Sequence, residues 1–186
     1  EKEKKKIAEI SINEKIEGFT VSSKIFIFSK KTVYIYDFDT LSKLDEFTIV
    51  AYSLVSYFKD DNHLICYPYN TYQNLGNIII KNNKNILSLK AHSDPINKIC
   101  ISKNGKYIAT CSNKGFLIKV FNSTNGLLIK EYYRGYNSKN ISFIGFSSED
   151  NWLICATEYS SLHLFEFNVN NLNTFNLFRE RSKYKY

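Results

Sequence analysis

Residues 107–121 read YIATCSNKGFLIKVF. Two apolar runs, Tyr107 to Cys111 and Leu117 to Phe121, flank the polar turn Ser112-Asn113-Lys114-Gly115. Each run is about a strand long, too short for a stable helix, and rich in β-branched and aromatic residues. Working outward, the same pair of strands recurs. Ile25-Phe26-Ile27-Phe28 precedes Val33-Tyr34-Ile35-Tyr36, and Leu64-Ile65-Cys66-Tyr67 precedes Asn77-Ile78-Ile79-Ile80. Trp152-Leu153-Ile154-Cys155 precedes Leu162-His163-Leu164-Phe165. The second strands end at Tyr36, Ile80, Phe121 and Phe165, which are 44, 41 and 44 residues apart. Tight-turn residues open the later pairs (Asn104-Gly105, Glu149-Asp150-Asn151), and polar turns follow the second strands (Asp39-Thr40, Asn82-Asn83, Asn122 to Gly126).

A period of roughly 40–45 residues, one four-stranded unit each, is that of a WD-type propeller blade. No segment keeps apolar residues at i, i+3, i+4 and i+7. The expected fold class is therefore all-β, a WD-repeat-type β-propeller. Residues 1–170 form the partial propeller, with antiparallel four-stranded blades at about 7–46, 47–90, 91–132 and 137–170. Residues 171–186 form a loop or tail. Four blades do not close a ring of seven, which takes roughly 300 residues at this period. Further blades are expected outside this chain.

The net charge is +7, which suits an anionic partner, either nucleic acid or a membrane surface. Part of it sits at the ends, in Lys2, Lys4, Lys5 and Lys6 and in Arg179, Arg181, Lys183 and Lys185. Nucleic-acid motifs are absent, so no nucleic-acid partner is expected. Cys66, Cys100, Cys111 and Cys155 form no CxxC pair and lie in or beside apolar runs, which predicts free buried thiols, no metal site and a reducing compartment. No apolar run reaches the length of a membrane-spanning helix, and EKEKKK is not the start of a signal peptide. GxSxG, HExxH, P-loop and GxGxxG motifs are all missing, so neither enzyme activity nor a cofactor is expected. Trp152 opens a strand and is expected in the core.

From Ala91 to Phe167 the sequence carries Ala91-His92, then Ala109-Thr110-Cys111-Ser112-Asn113-Lys114-Gly115, Lys119-Val120-Phe121, Tyr132-Tyr133-Arg134-Gly135, Thr157 and Leu162-His163-Leu164-Phe165. This series resembles blades five and six of the PROPPIN family, which includes the autophagy WIPI proteins. The family pattern contains F/L-R-R-G, whose two arginines serve separate phosphoinositide pockets. The resemblance implies phosphatidylinositol 3-phosphate or the 3,5-bisphosphate as ligand.

Here the first arginine is Tyr133 and a pocket threonine is Phe116, leaving Ser112 and Lys119 in a weakened first pocket. The second pocket keeps Arg134, Thr157, Ser161 and His163, although the lysine and glycine of its neighbouring turn have become Tyr159 and Ser160. His92 resembles the structural Gly-His position of the propeller. The family also inserts a loop from this blade into membranes. The tail offers Leu172, Phe175, Leu177 and Phe178 as apolar anchors beside four basic residues, each contributing about 1 kcal/mol near an anionic surface. The implied function is a phosphoinositide-binding scaffold of autophagy or vesicle trafficking, with autophagy or trafficking proteins as partners. It would be cytoplasmic and peripheral on endosomal, vacuolar or autophagosomal-precursor membranes. The alternative is a protein–protein interaction propeller that has lost lipid binding.

Overall fold

The short apolar runs fold as strands because alternate side chains can be buried on both faces of a sheet packed between neighbours. The computed structural model describes residues 8–51, 54–58, 63–69, 75–135, 140–158 and 161–168, and the backbone of 180–181. The chain divides into two compact units, Glu1–Tyr52 and Ser53–Tyr186.

The first unit holds one antiparallel sheet in the order β1-β2-β3-β4, formed by Ile16–Val21, Lys24–Ser29, Thr32–Asp37 and Lys43–Thr48. Phe26, Phe28, Val33 and Ile35 are buried within it. Glu14 fastens the incoming segment. Its carboxylate accepts hydrogen bonds from Ser29, from Thr32 Oγ1 at 3.0 Å and from Tyr34 OH at 2.9 Å.

The second unit holds three sheets. β5 (Ser56–Phe58), β6 (Leu64–Pro68), β7 (Asn77–Lys81) and β8 (Ile86–Lys90) pair in sequence order. So do β9 (Ile96–Ile101), β10 (Tyr107–Ser112), β11 (Leu117–Asn122) and β12 (Leu128–Tyr133). The last sheet is β13 (Ile141–Phe146), β14 (Trp152–Thr157) and β15 (Leu162–Glu166). These are the second, third and fourth blades.

Two features depart from the expected architecture. The fourth blade has three strands among the described residues, where four were expected. A short β16 (Glu180–Arg181) also pairs in parallel with β12, Glu180 beside Tyr132 and Arg181 beside Tyr133, where only antiparallel pairing was expected. The outer edge of a sheet presents unpaired N–H and C=O groups, and β16 covers that edge of β12.

Burial alternates across the third blade and separates its two faces. Every residue of β10 is buried. Ile108 packs with Leu64, Cys66, Ile78, Ile80, Ile96 and Phe121 in the seam with the second blade. Tyr107, Ala109 and Cys111 pack with Ile118, Val120 and Tyr132, and with Ile144, Leu153, Cys155 and Phe165 of the fourth blade. Polar bonds cross the same seams. Asp150, in the β13–β14 turn, accepts from the backbone N–H of Lys103 at 2.7 Å and of Asn104 at 2.9 Å. Asn97 Nδ2 donates to Ile141 O at 3.0 Å, and Tyr132 OH to Glu166 O at 2.8 Å. Gly76, with φ +79°, lies so close to the His92 carbonyl that a side chain there would collide with backbone, and its own carbonyl accepts from Ala91 and His92 N–H. Only glycine suits both demands. Trp152, expected in the core, is 41% exposed, because it falls on the face of β14 that points away from the third blade.

Candidate functional site

Alternation along the strands decides which seam each candidate residue enters. Arg134 follows β12 two residues after the buried Tyr132, whose ring packs against the fourth blade. Its backbone N–H donates to Phe116 O at 2.8 Å and its side-chain Nε to Gly115 O at 2.6 Å. The Gly115 carbonyl thereby orients the guanidinium, and Arg134 as a residue is only 8% exposed instead of standing open at a rim. Burial pushes the Cys111 and Cys155 thiols up to about 12, and the Arg134 charge acts on both in the opposite sense. The guanidinium therefore lies near a thiol from each side of the seam between the third and fourth blades.

The fourth blade brings the other candidates to that seam. His163 pairs in register with Cys155, and Thr157 ends the same strand two residues on. Thr157 Oγ1 and Ser161 Oγ are 2.6 Å apart, and His163 Nε2 lies 3.3 Å from Ser161 Oγ. Ser161 is the middle of a three-member chain, and the turn is closed by Thr157 N–H donating to Ser161 O at 3.0 Å. His163 is buried and its ring stacks parallel to Phe165, with centroids 6.3 Å apart. It is packed inward. The arrangement offers a fixed cation, two rotatable hydroxyls and an imidazole, which is the inventory for holding an anion.

The opposite face of the third blade holds the residues of the weakened first pocket, and here most polar groups satisfy one another. Thr110 Oγ1 is 3.0 Å from His92 Nε2. Thr110 pairs in register with Lys119, and Lys119 with Glu131. Lys119 Nζ makes a 3.1 Å ion pair with Glu131, and Lys114 Nζ a 3.0 Å pair with Asp94. Burial pushes the His92 imidazole down to about 4, with Lys119 adding to the shift, so it is neutral at pH 7. Ser112 sits at a bulge in the β9–β10 ladder, buried, its carbonyl accepting from Gly115 N–H. Tyr133 and Phe116 are half-buried beside it. Two lysines are thus matched by two carboxylates on this side, leaving little net charge for a ligand.

Sequence reasoning did not identify Glu131, Asp94 or the Gly115 carbonyl. The partnership of Glu131 with Lys119 depends on the β11–β12 register, which shifts between Val120 and Phe121. Among the described residues no group of His, Cys, Asp and Glu could hold a metal ion. Leu172, Phe175, Leu177 and Phe178 lie outside the described residues.

Residues 83–122 match the WD domain, G-beta repeat family. SVP1-like protein 2 of Saccharomyces cerevisiae is 37% identical over 87 residues, which are 46% of this chain and 19% of that protein. Autophagy-related protein 21 of Schizosaccharomyces pombe is 24% identical over 147 residues, 77% of this chain and 43% of the relative. The chain therefore spans less than half the length of these relatives. Among solved structures, Hsv2 of Kluyveromyces lactis superposes with a TM-score of 0.76 at 23% identity, over 90% of this chain and 54% of Hsv2. The four sheets, the repeat match and these relatives together show a WD-repeat β-propeller fold and a likeness to the PROPPIN proteins over part of their length.

Proposed function

We propose that the seam between the third and fourth blades binds the headgroup phosphate of phosphatidylinositol 3-phosphate or the 3,5-bisphosphate. The protein is then a membrane-recruited scaffold of autophagy or vesicle trafficking. The observation that supports this reading is that Arg134 lies on the face of the third blade turned to the fourth, whose Thr157, Ser161 and His163 form one hydrogen-bonded chain. A guanidinium is a planar fork matched to phosphate oxygens, and its charge-assisted bonds are the strong ones. The hydroxyls rotate to donate to the same phosphate. In this reading Leu172, Phe175, Leu177 and Phe178 insert into the bilayer, and the protein is peripheral on endosomal, vacuolar or autophagosomal-precursor membranes. Other autophagy proteins are its partners, a role supported by the likeness to autophagy-related protein 21.

The deep burial of Arg134 and its bond to Gly115 favour a second reading, a protein-interaction propeller in which the arginine is a strut. Vesicle flotation of the full-length protein separates the two. Vesicles with phosphatidylinositol 3-phosphate should bind better than phosphatidylserine vesicles of equal surface charge. Arg134→Ala should weaken that binding about tenfold, since a charged hydrogen bond contributes roughly 1.5–3 kcal/mol. Equal binding to both vesicles, or unchanged binding by the variant, sinks the lipid reading and leaves the scaffold.

A further inference from the structure

Each complete blade ends in an edge strand, and the three differ in how that edge is guarded. β4 reads KLDEFT, with Lys43 and Glu46 paired and Asp45 between them, and charges of this kind discourage further pairing. β12 is paired with β16 at Tyr132 and Tyr133. β8 reads ILSLK, with no acid, no proline and one charge at its very end. Asn82 N–H donates to Asn85 O, and Ala91 N–H to Gly76 O, both at 3.0 Å, so the odd-numbered residues bond back toward β7. Ile86, Ser88 and Lys90 therefore turn their backbone N–H and C=O outward. Their side chains are also exposed, Ile86 at 66%.

On the other face Leu87 and Leu89 support the β11–β12 turn. A Cβ on Gly126 would lie 2.7 Å from Leu87 and 2.9 Å from Leu89. The turn leads directly into Leu127 and Leu128, 62% and 44% exposed. From Lys81 to Ser93 the chain carries Lys81, Lys84 and Lys90 and no carboxylate. Among the described residues neither Lys84 nor Lys90 makes an ion pair.

We propose that this edge docks an extended segment of a partner protein, apolar and acidic in alternation, added as a fifth strand along β8. Main-chain bonds to Ile86, Ser88 and Lys90 hold it. Its apolar side chains lie on the face of Leu127 and Leu128, and its acids lie on the opposite face, which Lys90 shares with Ile86 and Ser88. The occupant is a strand because the unpaired groups are those of an edge, and acidic because the rim is basic.

The test uses the full-length protein and fluorescein-labelled ten-residue peptides that alternate Glu with Leu, Ile or Val. These should bind, protect the Ile86, Ser88 and Lys90 amides from hydrogen exchange, and weaken with salt. Ser88→Pro removes an outward N–H and should weaken binding about tenfold. Ile86→Asp, a surface change that leaves the ladder intact, should do the same and decides the matter if the proline variant melts early. The idea is overturned if no peptide binds at millimolar concentration, if both variants bind as the parent does, or if peptides with Lys in place of Glu bind equally. It is also overturned if the edge instead pairs two copies of this chain, seen as a dimer that Ser88→Pro dissociates.

Discussion

Lys119 and Arg134 lie on opposite faces of one blade, and their partners differ. Lys119 faces a carboxylate directly across the ladder, whereas the Arg134 Nε donates to a backbone carbonyl. Lys119→Ala should therefore change phosphoinositide vesicle binding less than twofold. The same substitution should raise the His92 pKa, because Lys119 disfavours the imidazolium. Proton NMR titration of His92 reads that shift, and an unmoved His92 would place Lys119 too far away to matter. The stability cost is below about 1 kcal/mol, since both side chains of the pair are about one-quarter exposed and screened.

At the scale of elements, Asp150 joins two blades through a turn. Its φ of +54° is uncommon outside glycine, and aspartate and asparagine tolerate it best. Its carboxylate accepts two backbone N–H groups from the β9–β10 turn while nearly buried. Asp150→Ala leaves those donors without their acceptor and keeps the strained backbone, a cost of about 3 kcal/mol. That corresponds to a fall in Tm of roughly 6–12 °C for a chain of this length. Asp150→Asn keeps one acceptor and should lose about half as much. Thermal melts check the totals, and faster exchange of the Lys103 and Asn104 amides locates the loss. A Tm within a degree of the parent for Asp150→Ala would show that the clamp is not stabilising.

The second strands of the first three blades were legible in the sequence because both faces are buried, which makes them short continuous apolar runs such as Tyr107–Ser112. Asp150 was read only as a turn residue, since its partners lie 46 and 47 positions away. Trp152 was misplaced for a related reason: β14 alternates in burial, and sequence alone does not say which of its faces packs on the third blade. The members of the second pocket were named from a motif, but the burial of Arg134 and His163 comes from packing between blades. Glu131, directly across the ladder from Lys119, carries no local signal at all.

For the whole molecule, acid should act on stability before it reaches ordinary carboxylates. His92 is held neutral by burial, with its pKa pushed down to about 4 from an ordinary value of 6.5. In the unfolded chain it takes up a proton near 6.5, so between pH 6.5 and 4 the unfolded state binds more protons than the folded one. Stability is complete above pH 6.5 and falls with pH through that window, by on the order of 3 kcal/mol at its lower end. Asp94, lowered chiefly by its hydrogen bond from Lys114, adds a loss of the same sign below its ordinary value near 3.8. His92→Gln keeps an amide able to bond Thr110 and removes the titration. It should melt below the parent at pH 7.5, because it loses the ring's packing, yet vary less between pH 6.5 and 4.5. Melting curves at one-unit steps across that range test this. If the variant keeps the full slope of the parent, the acid sensitivity belongs to other groups, and the buried imidazole is not the element that couples this fold to pH.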